Sequence, residues 1–347
     1  MRHRCLAMSV FIALVMLIAS AARAQNVTIT PLGAAAGEFC VGDRALLFED
    51  PTGVRVLTAP GRTVGLDTGA FVRGSADSRL NGSVHVLLID HPHVDHLGDV
   101  FHTNCAGTVT RPFEFPSESN AAEIAARLNA AVLVGGEMPD FFTQKIKNIS
   151  GTAPAGCPAD GLDNKFVVPR SSPCVGVIRG GTRTAAISLQ DPGVKITTIP
   201  AFHAAGVSRM HVDPPNVPVG LTGYAGAETG YIMRFTNGLT VLWTGDSGLI
   251  GDWETQSKFY RPNLAVVHGG DLFTMGPDEA AFAVSELIKP RSVIPEHFNQ
   301  VSTTGGKVND GTKLERFIQQ LKGQTRTRVI VPLSGTPFSC DGRGNCS

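Results

Sequence analysis

The sequence predicts an α/β fold in which two β-sheets pack together and helices cover their outer faces. Three observations point there. Strand-like segments are many and short, rich in β-branched and apolar residues, and most end in Gly, Pro, Asp or His. The early ones follow one another like hairpin arms, whereas the later ones alternate with helical patterns, as a two-sheet core with outer helices requires. Side chains able to bind a metal recur where strands end.

Strands are expected within 44–50, 54–59, 63–67, 84–90, 195–200, 229–235, 239–245, 264–270, 291–297 and 327–333. Helical patterns lie at 119–132, 277–288 and 310–323. The last two begin at Pro or Asp, and the final one ends at Gly323. From about 105 to 190 the chain is rich in Gly, Pro, Ser and Thr and shows one clear helix. That stretch reads as an insertion over the core, a lid or one wall of a site.

The chain of 347 residues opens on a basic "MRHR", an apolar "LAMSVFIALVMLIAS" and the small-x-small "ARA". This is the pattern of a signal peptide over 1–24, cleaved after Ala24. Its apolar run is shorter than the roughly 20 residues a bilayer span needs. A periplasmic or secreted protein with no membrane span after cleavage is expected, residues 25–347 forming one domain.

Six cysteines remain in that domain, and an oxidising compartment favours pairing them. Spacing joins Cys340 to Cys346 and Cys157 to Cys174, which leaves Cys40 with Cys105. A cysteine zinc knuckle is the rival, but no CxxC pair exists. Without the leader's three arginines the net charge is about −3, and no basic run appears, so the footprint of a nucleic-acid binder is missing. The expected partner is a small-molecule substrate; the sequence is silent on oligomeric state.

The stretch "DHPHVDHLGD", Asp90 to Asp99, carries three histidines and three aspartates directly after "VHVLLI". At a strand end, residues i and i+2 point the same way, so His91 and His93 can share one ion. Asp95 and His96 can serve a second ion beside it. Zinc takes about four N, S or O ligands, so each pair needs partners from elsewhere. The chain offers three, each just past a strand: His203 after "ITTIPAF", Asp246 in "TGDSG" and His297 after "RSVIPE". The histidines His3, His85, His102 and His211 are set aside as leader, strand or loop residues.

This pattern resembles the metallo-β-lactamase superfamily. "FTMGPDEAAFAVSELIKPRSVIPEHF" looks like the ascorbate-phosphate lactonase-like branch of metal-dependent hydrolases. The resemblance implies a four-layered αββα sandwich with a dinuclear site at one edge. In that pattern His91, His93 and His203 hold the first metal, Asp95, His96 and His297 the second, and Asp246 bridges them. Two departures stand out. A stretch of 107 positions separates His96 from His203, and "LAVVHGGD" carries His268 where the branch often has Pro. His268 either lines the pocket and donates a hydrogen bond to substrate, or sits behind the ligands or at the surface.

The implied enzyme is an exported hydrolase using two zinc ions, with manganese or iron as alternatives. A hydroxide shared by the ions, oriented by Asp95, would attack a lactone, ester or phosphodiester. Phosphate recognition would want a cation nearby, and Arg209, six residues after His203, is the candidate near in sequence. Ser247 lacks the GxSxG elbow of a serine hydrolase. A true β-lactamase is the alternative within the same chemistry. An iron-dependent sulfur dioxygenase-type oxidoreductase is the alternative from another class, and a binding protein that has lost its activity is a third.

Overall fold

A computed structural model describes residues 26–64, 77–80, 82–111, 117–161, 163–207, 221, 223–324 and 326–347. Two eight-stranded sheets occupy its middle. Across the first, the strands run Phe338–Cys340, Val27–Leu32, Ala45–Glu49, Arg55–Thr58, Val86–Ile89, Ala131–Val134, Cys174–Val177 and Ala155–Gly156. Across the second they run Arg328–Val329, Ser292–Glu296, Leu264–His268, Thr240–Trp243, Thr229–Arg234, Val194–Pro200, Thr182–Ala186 and Lys165–Val167.

Each sheet is a hybrid of the same kind. Four neighbouring strands pair antiparallel, from Phe338–Cys340 to Arg55–Thr58 in the first sheet and from Thr182–Ala186 to Thr240–Trp243 in the second. The remaining pairings are parallel. Parallel strands deliver their carboxyl ends to one edge, which is where open α/β sheets collect functional groups. Val86–Ile89 supplies that edge in the first sheet; Leu264–His268 and Ser292–Glu296 supply it in the second.

The period of two along each strand sorts its side chains into layers. Val86 and Leu88 point inward, into a core shared with Tyr231, Trp243, Val266 and Ile294 of the facing sheet. Leu87 and Ile89 point outward, against Ala121, Ala122, Phe142 and Ile146 of the helices Asn120–Leu128 and Pro139–Ser150. Beyond the second sheet, Leu242, Ala265 and Val267 meet Trp253, Val284 and Phe317. These come from Asp252–Tyr260, from Pro277–Phe282 with its wider continuation Ala283–Ile288, and from Lys313–Leu321. The result is the four-layered αββα sandwich, and burial on both faces explains why so many strands read as apolar runs.

Helix boundaries follow local chemistry. The Ser119 hydroxyl accepts from Ala122 N–H and the Thr312 hydroxyl from Glu315 N–H, capping two of the expected helices. The helix expected over 119–132 ends at Leu128, because Asn129 turns into the left-handed region at φ 54° and Ala131 begins a strand.

The stretch from about 105 to 190 departs from expectation. It is no insertion over the core. Ala131–Val134, Cys174–Val177 and Ala155–Gly156 extend the first sheet, Lys165–Val167 and Thr182–Ala186 extend the second, and Pro139–Ser150 covers the first. Strands of two to five residues hold too few alternations to register as periodic, and their Gly and Ser belong to turns and edges. The leader 1–24 and most of the strand expected at 63–67 lie outside the described residues, as do Arg209 and His211. No helix among the described residues is long and apolar enough to cross a membrane.

All three expected disulfides are present: Cys40–Cys105, Cys157–Cys174 and Cys340–Cys346. Cys157–Cys174 ties the end of Ala155–Gly156 to its neighbour Cys174–Val177 at the sheet edge. A loop of that length, left open in the unfolded chain, adds about 3 kcal/mol to its conformational freedom. The double variant Cys157→Ala/Cys174→Ala should therefore lose about that much unfolding free energy, read as a lower urea midpoint. Its metal content should match that of the parent, because the edge is remote from the motif.

Candidate metal centre

Asp90 follows the strand Val86–Ile89 directly, and the chain then turns through His91 and His93 into the single helical turn Val94–Leu97. The turn presents Asp95 and His96 on one side. From the second sheet, Asp246 follows Thr240–Trp243, His297 follows Ser292–Glu296 and His203 follows Val194–Pro200. All seven expected ligands thus meet at one sheet edge, as expected from strand ends alone.

They gather into two groups. Ligand atoms of His91, His93 and His203 lie within 4.8 Å of one another, and so do those of Asp95, His96, Asp246 and His297. Asp246 Oδ2 stands between the groups. It is 3.2 Å from Nε2 of both His96 and His297, 3.8 Å from His91 Nε2 and 3.7 Å from His203 Nε2. The Nε2 atoms of His91 and His96 are fully buried without a hydrogen-bond partner. Buried polar atoms are rarely left so, and a cation among these atoms would satisfy them. The donor set of imidazole and carboxylate suits a divalent transition metal.

Beneath the cluster lies Asp90, almost wholly buried. Its two oxygens are 3.1 Å from His91 Nδ1 and 2.9 Å from His96 Nδ1. A carboxylate there turns both rings so that Nε2 faces the cluster. Burial opposes ionisation of Asp90, yet His96 and His91 outweigh it and hold its carboxyl well below the usual range. The same contest decides Asp246, where burial is overcome chiefly by His297 and His96. Burial works against a charge on His96 too, but Asp90, Asp246 and Asp95 raise its pKa. His93 is pushed down to about 3 by burial and by the neighbouring His91 and His203, which keeps its ring neutral and able to ligate. Gly245 permits this packing. It sits at φ +60°, and a Cβ there would lie 2.7 Å from Thr229 O and 3.0 Å from Asp90 Oδ2.

His268 does not line a pocket. It is fully buried, with Nδ1 2.7 Å from Asp246 Oδ1 and Nε2 3.1 Å from Glu296 Oε2. Both nitrogens are spent on carboxylates, so its place is behind Asp246, steadying it, and a hydrogen bond to substrate is ruled out. Trp243 Nε1–H donates to the same Glu296 oxygen at 3.3 Å.

Three further residues at the site carried no pattern in the sequence. Arg44 donates to Asp95 Oδ2 through Nη1 and to Asn299 Oδ1 through Nη2. Asn299 Nδ2 is 3.1 Å from His297 Nδ1 and so orients that ring. Burial disfavours the charge on Asp95, but Arg44, then His96 and His297, hold its pKa well below the usual range. His102 forms part of the wall. These residues open onto a cavity of about 540 Å³ lined by Val41, Arg44, Arg62, His102 and Phe273 and by His93, Asp95, His203, Asp246 and His297 of the cluster. That volume falls in the range of small-molecule sites.

A family model described as a beta-lactamase superfamily domain matches residues 148–298, a span that holds His203, Asp246 and His297 but not the Asp90–Asp99 motif. A UPF0173 metal-dependent hydrolase of Cupriavidus necator is 27% identical over 305 residues, covering 86% of this chain and 87% of that protein. One from Pelotomaculum thermopropionicum is 30% identical over 214 residues, 62% of this chain and 67% of that protein. The chain belongs to the UPF0173 family of metal-dependent hydrolases. Solved structures agree on the fold. Igni18, a metallo hydrolase from Ignicoccus hospitalis, aligns with TM-score 0.53 and 21% identity over 90% of this chain and 98% of that one. An isothiocyanate hydrolase from Delia radicum gut bacteria aligns with TM-score 0.50 and 12% identity over 91% and 99%. The metallo-β-lactamase resemblance therefore holds, and this UPF0173 hydrolase places its His and Asp cluster where strands of both sheets end.

Because Asp90 orients two rings at once, Asp90→Asn offers only one acceptor where two are needed. The variant should fold and bind divalent metal about 10–100-fold more weakly, as removal of such supporting carboxylates does. Competition against a chelator of known affinity measures this; unchanged retention would mean that the rings are held by packing alone.

Proposed function

We propose that this UPF0173 hydrolase is an exported enzyme that uses two zinc ions to cleave a lactone, ester or phosphodiester. One observation carries the reading: seven ligating side chains form two adjoining groups, with Asp246 Oδ2 between them. His91, His93 and His203 would hold one ion, Asp95, His96 and His297 the other, and Asp246 would touch both. Export is supported by the leader-like opening of the sequence and by the three disulfides, which persist in oxidising compartments.

A divalent ion bound here acidifies water and polarises a substrate oxygen. The chain's own residues do the rest. Asp95 faces the cavity, partly exposed, with its carboxylate fixed by Arg44, so that it can accept a hydrogen bond from a water and orient it. Arg44 also lines the cavity and brings a fixed positive charge to it beside Asp95. His268 and Glu296 keep Asp246 from rotating. Deep placement of His91, His96 and Asp246 excludes bulk water from the inner side of the site.

Elemental analysis of protein purified without chelators tests the proposal. About two zinc ions per chain are expected, falling to one or none in Asp246→Ala, with activity on lactone or ester substrates lost in step. Near-stoichiometric iron would favour the oxygen-dependent alternative, and no bound metal after zinc is supplied would overturn the reading. Because metal binds the native state alone, chelation should also lower the midpoint of thermal unfolding; zinc at 100 times its dissociation constant adds about 2.7 kcal/mol to stability.

A further inference from the structure

The two sides of the cavity mouth differ in kind. On one side Phe273 lines the cavity, 62% exposed, and the segments that follow Pro200, Asp246 and His268 carry further large apolar side chains open to water: Phe202 is 72% exposed, Leu272 84% and Leu249 39%. They are not scattered. Phe202 N–H donates to Ser247 Oγ, Gly248 N–H donates to Phe202 O, and Met275 N–H donates to Ser247 O. Both aromatic loops are thus pinned to the turn that follows Asp246, and Phe273 reaches the cavity itself. An exposed apolar lip built on segments tied together beside a site marks what the site receives.

The lip is also held outward at a cost. Asp271 and Leu272 both lie in the left-handed region, at φ +64° and +68°, which is unfavourable for a side chain such as that of Leu272. Asp271 N–H to Met275 O, Phe273 N–H to Asp271 O and Gly270 N–H to Thr274 Oγ1 hold the tip in that form. A loop that merely connected two elements would have no need to fix Leu272 and Phe273 in water.

The opposite side is polar. It comes from Val41, Gly42, Arg44, Arg62 and His102, and Cys40–Cys105 clamps its two segments together. His102 Nδ1 lies 2.8 Å from Val41 O, which fixes the ring with Nδ1–H donating and leaves Nε2 as a hydrogen-bond acceptor. Arg44 spends three of its five N–H groups, on Gly42 O, Asp95 and Asn299. Arg62 pairs with Asp99 and remains partly open to the cavity.

We propose that the cavity takes an amphiphilic carboxylic ester or lactone, its acyl tail lying across Phe202, Phe273 and Leu272 and its polar end facing Arg44, Arg62 and His102. The inference rests on the hydrolytic reading of the metal centre and narrows it to a substrate class. Water adds across the acyl C–O bond: its oxygen and one hydrogen appear on the carboxyl group, and the other hydrogen on the departing alkoxy oxygen. The product keeps the tail and gains a carboxylate, so it too is an amphiphile of the shape the cavity presents.

The test compares the zinc-loaded protein with its Phe202→Ser/Phe273→Ser variant, metal content being checked in both. Rates on p-nitrophenyl acetate, butanoate and octanoate are measured, and binding of acetate and octanoate is followed by calorimetry. In the parent, kcat/KM should rise about tenfold or more from acetate to octanoate, since each buried methylene adds up to about fourfold. In the variant the octanoate-to-acetate ratio should fall at least about fivefold; Leu272→Ser alone should move it the same way. Hydrolysis with a flat ratio in the parent, or an unaltered ratio in the variant, overturns the lip and leaves the hydrolase reading standing. Failure to cleave any ester, with octanoate still binding about tenfold more tightly than acetate to the parent but not to the variant, upholds the lip and overturns the ester reading. Loss of both signals overturns both.

Discussion

The carboxylate of Asp90 is the contact on which the rest of the site depends. It ends a strand of the first sheet, and each of its oxygens faces one motif histidine. Its Oδ2 also accepts from Asp246 N–H at 3.2 Å, and its backbone oxygen accepts from Thr229 N–H at 3.3 Å. Asp246 and Thr229 belong to the second sheet. One side chain therefore sets the angle of two rings and the distance between the sheets at the edge where ligands from both must meet. A buried charge in that position is tolerable because two imidazoles stand within 3.1 Å of its oxygens and Asp246 N–H donates to Oδ2.

Around that contact the protein builds two kinds of support. Behind Asp246 the chain Trp243, Glu296, His268 runs through the interior, each member hydrogen-bonded to the next. In front, Arg44 and Asn299 hold Asp95 and His297 from the cavity side. Removing any one partner would strand a buried polar group, which costs more than its hydrogen bond alone is worth. The ligands are consequently held on both sides before any cation arrives, and metal binding need order little of the chain. His297 itself sits at φ +56°, a strained form for histidine that such a surrounding can sustain.

The clustered His and Asp residues were legible in the sequence because chemistry and position agree at strand ends. A strand that is buried on both faces reads as an apolar run, and a His or Asp just beyond it stands out. Fold class followed from the same runs. The region from 105 to 190 was misread because its strands are brief edge pieces whose Gly, Pro and Ser content imitates a loop. Arg44 escaped notice for a different reason. It lies 51 positions before Asp95, and nothing in "CVGDRALLF" hints that its guanidinium crosses to the other segment. For His268 the sequence left open a place in the pocket or one behind the ligands. The glutamate and aspartate on either side of it, 28 and 22 positions away in the chain, turn it inward.

The division of labour in the cavity follows from how the sandwich is closed. The polar wall is drawn from the first sheet's loops, 41–44, 62 and 102, and a disulfide spanning 65 positions holds it to one geometry. The apolar lip is drawn from second-sheet loops that leave the core directly after Pro200, Asp246 and His268. Phe202, Gly248 and Met275 in these loops are hydrogen-bonded to one another's segments through Ser247, beside Asp246, so the lip cannot drift from the metal centre without disturbing it. A substrate that touches both walls must lie across the cluster, and its scissile bond is brought there by its own two ends. Selectivity for an amphiphile is then a consequence of geometry: a polar molecule leaves the aromatic side chains in water, and an apolar one leaves the arginines without an acceptor.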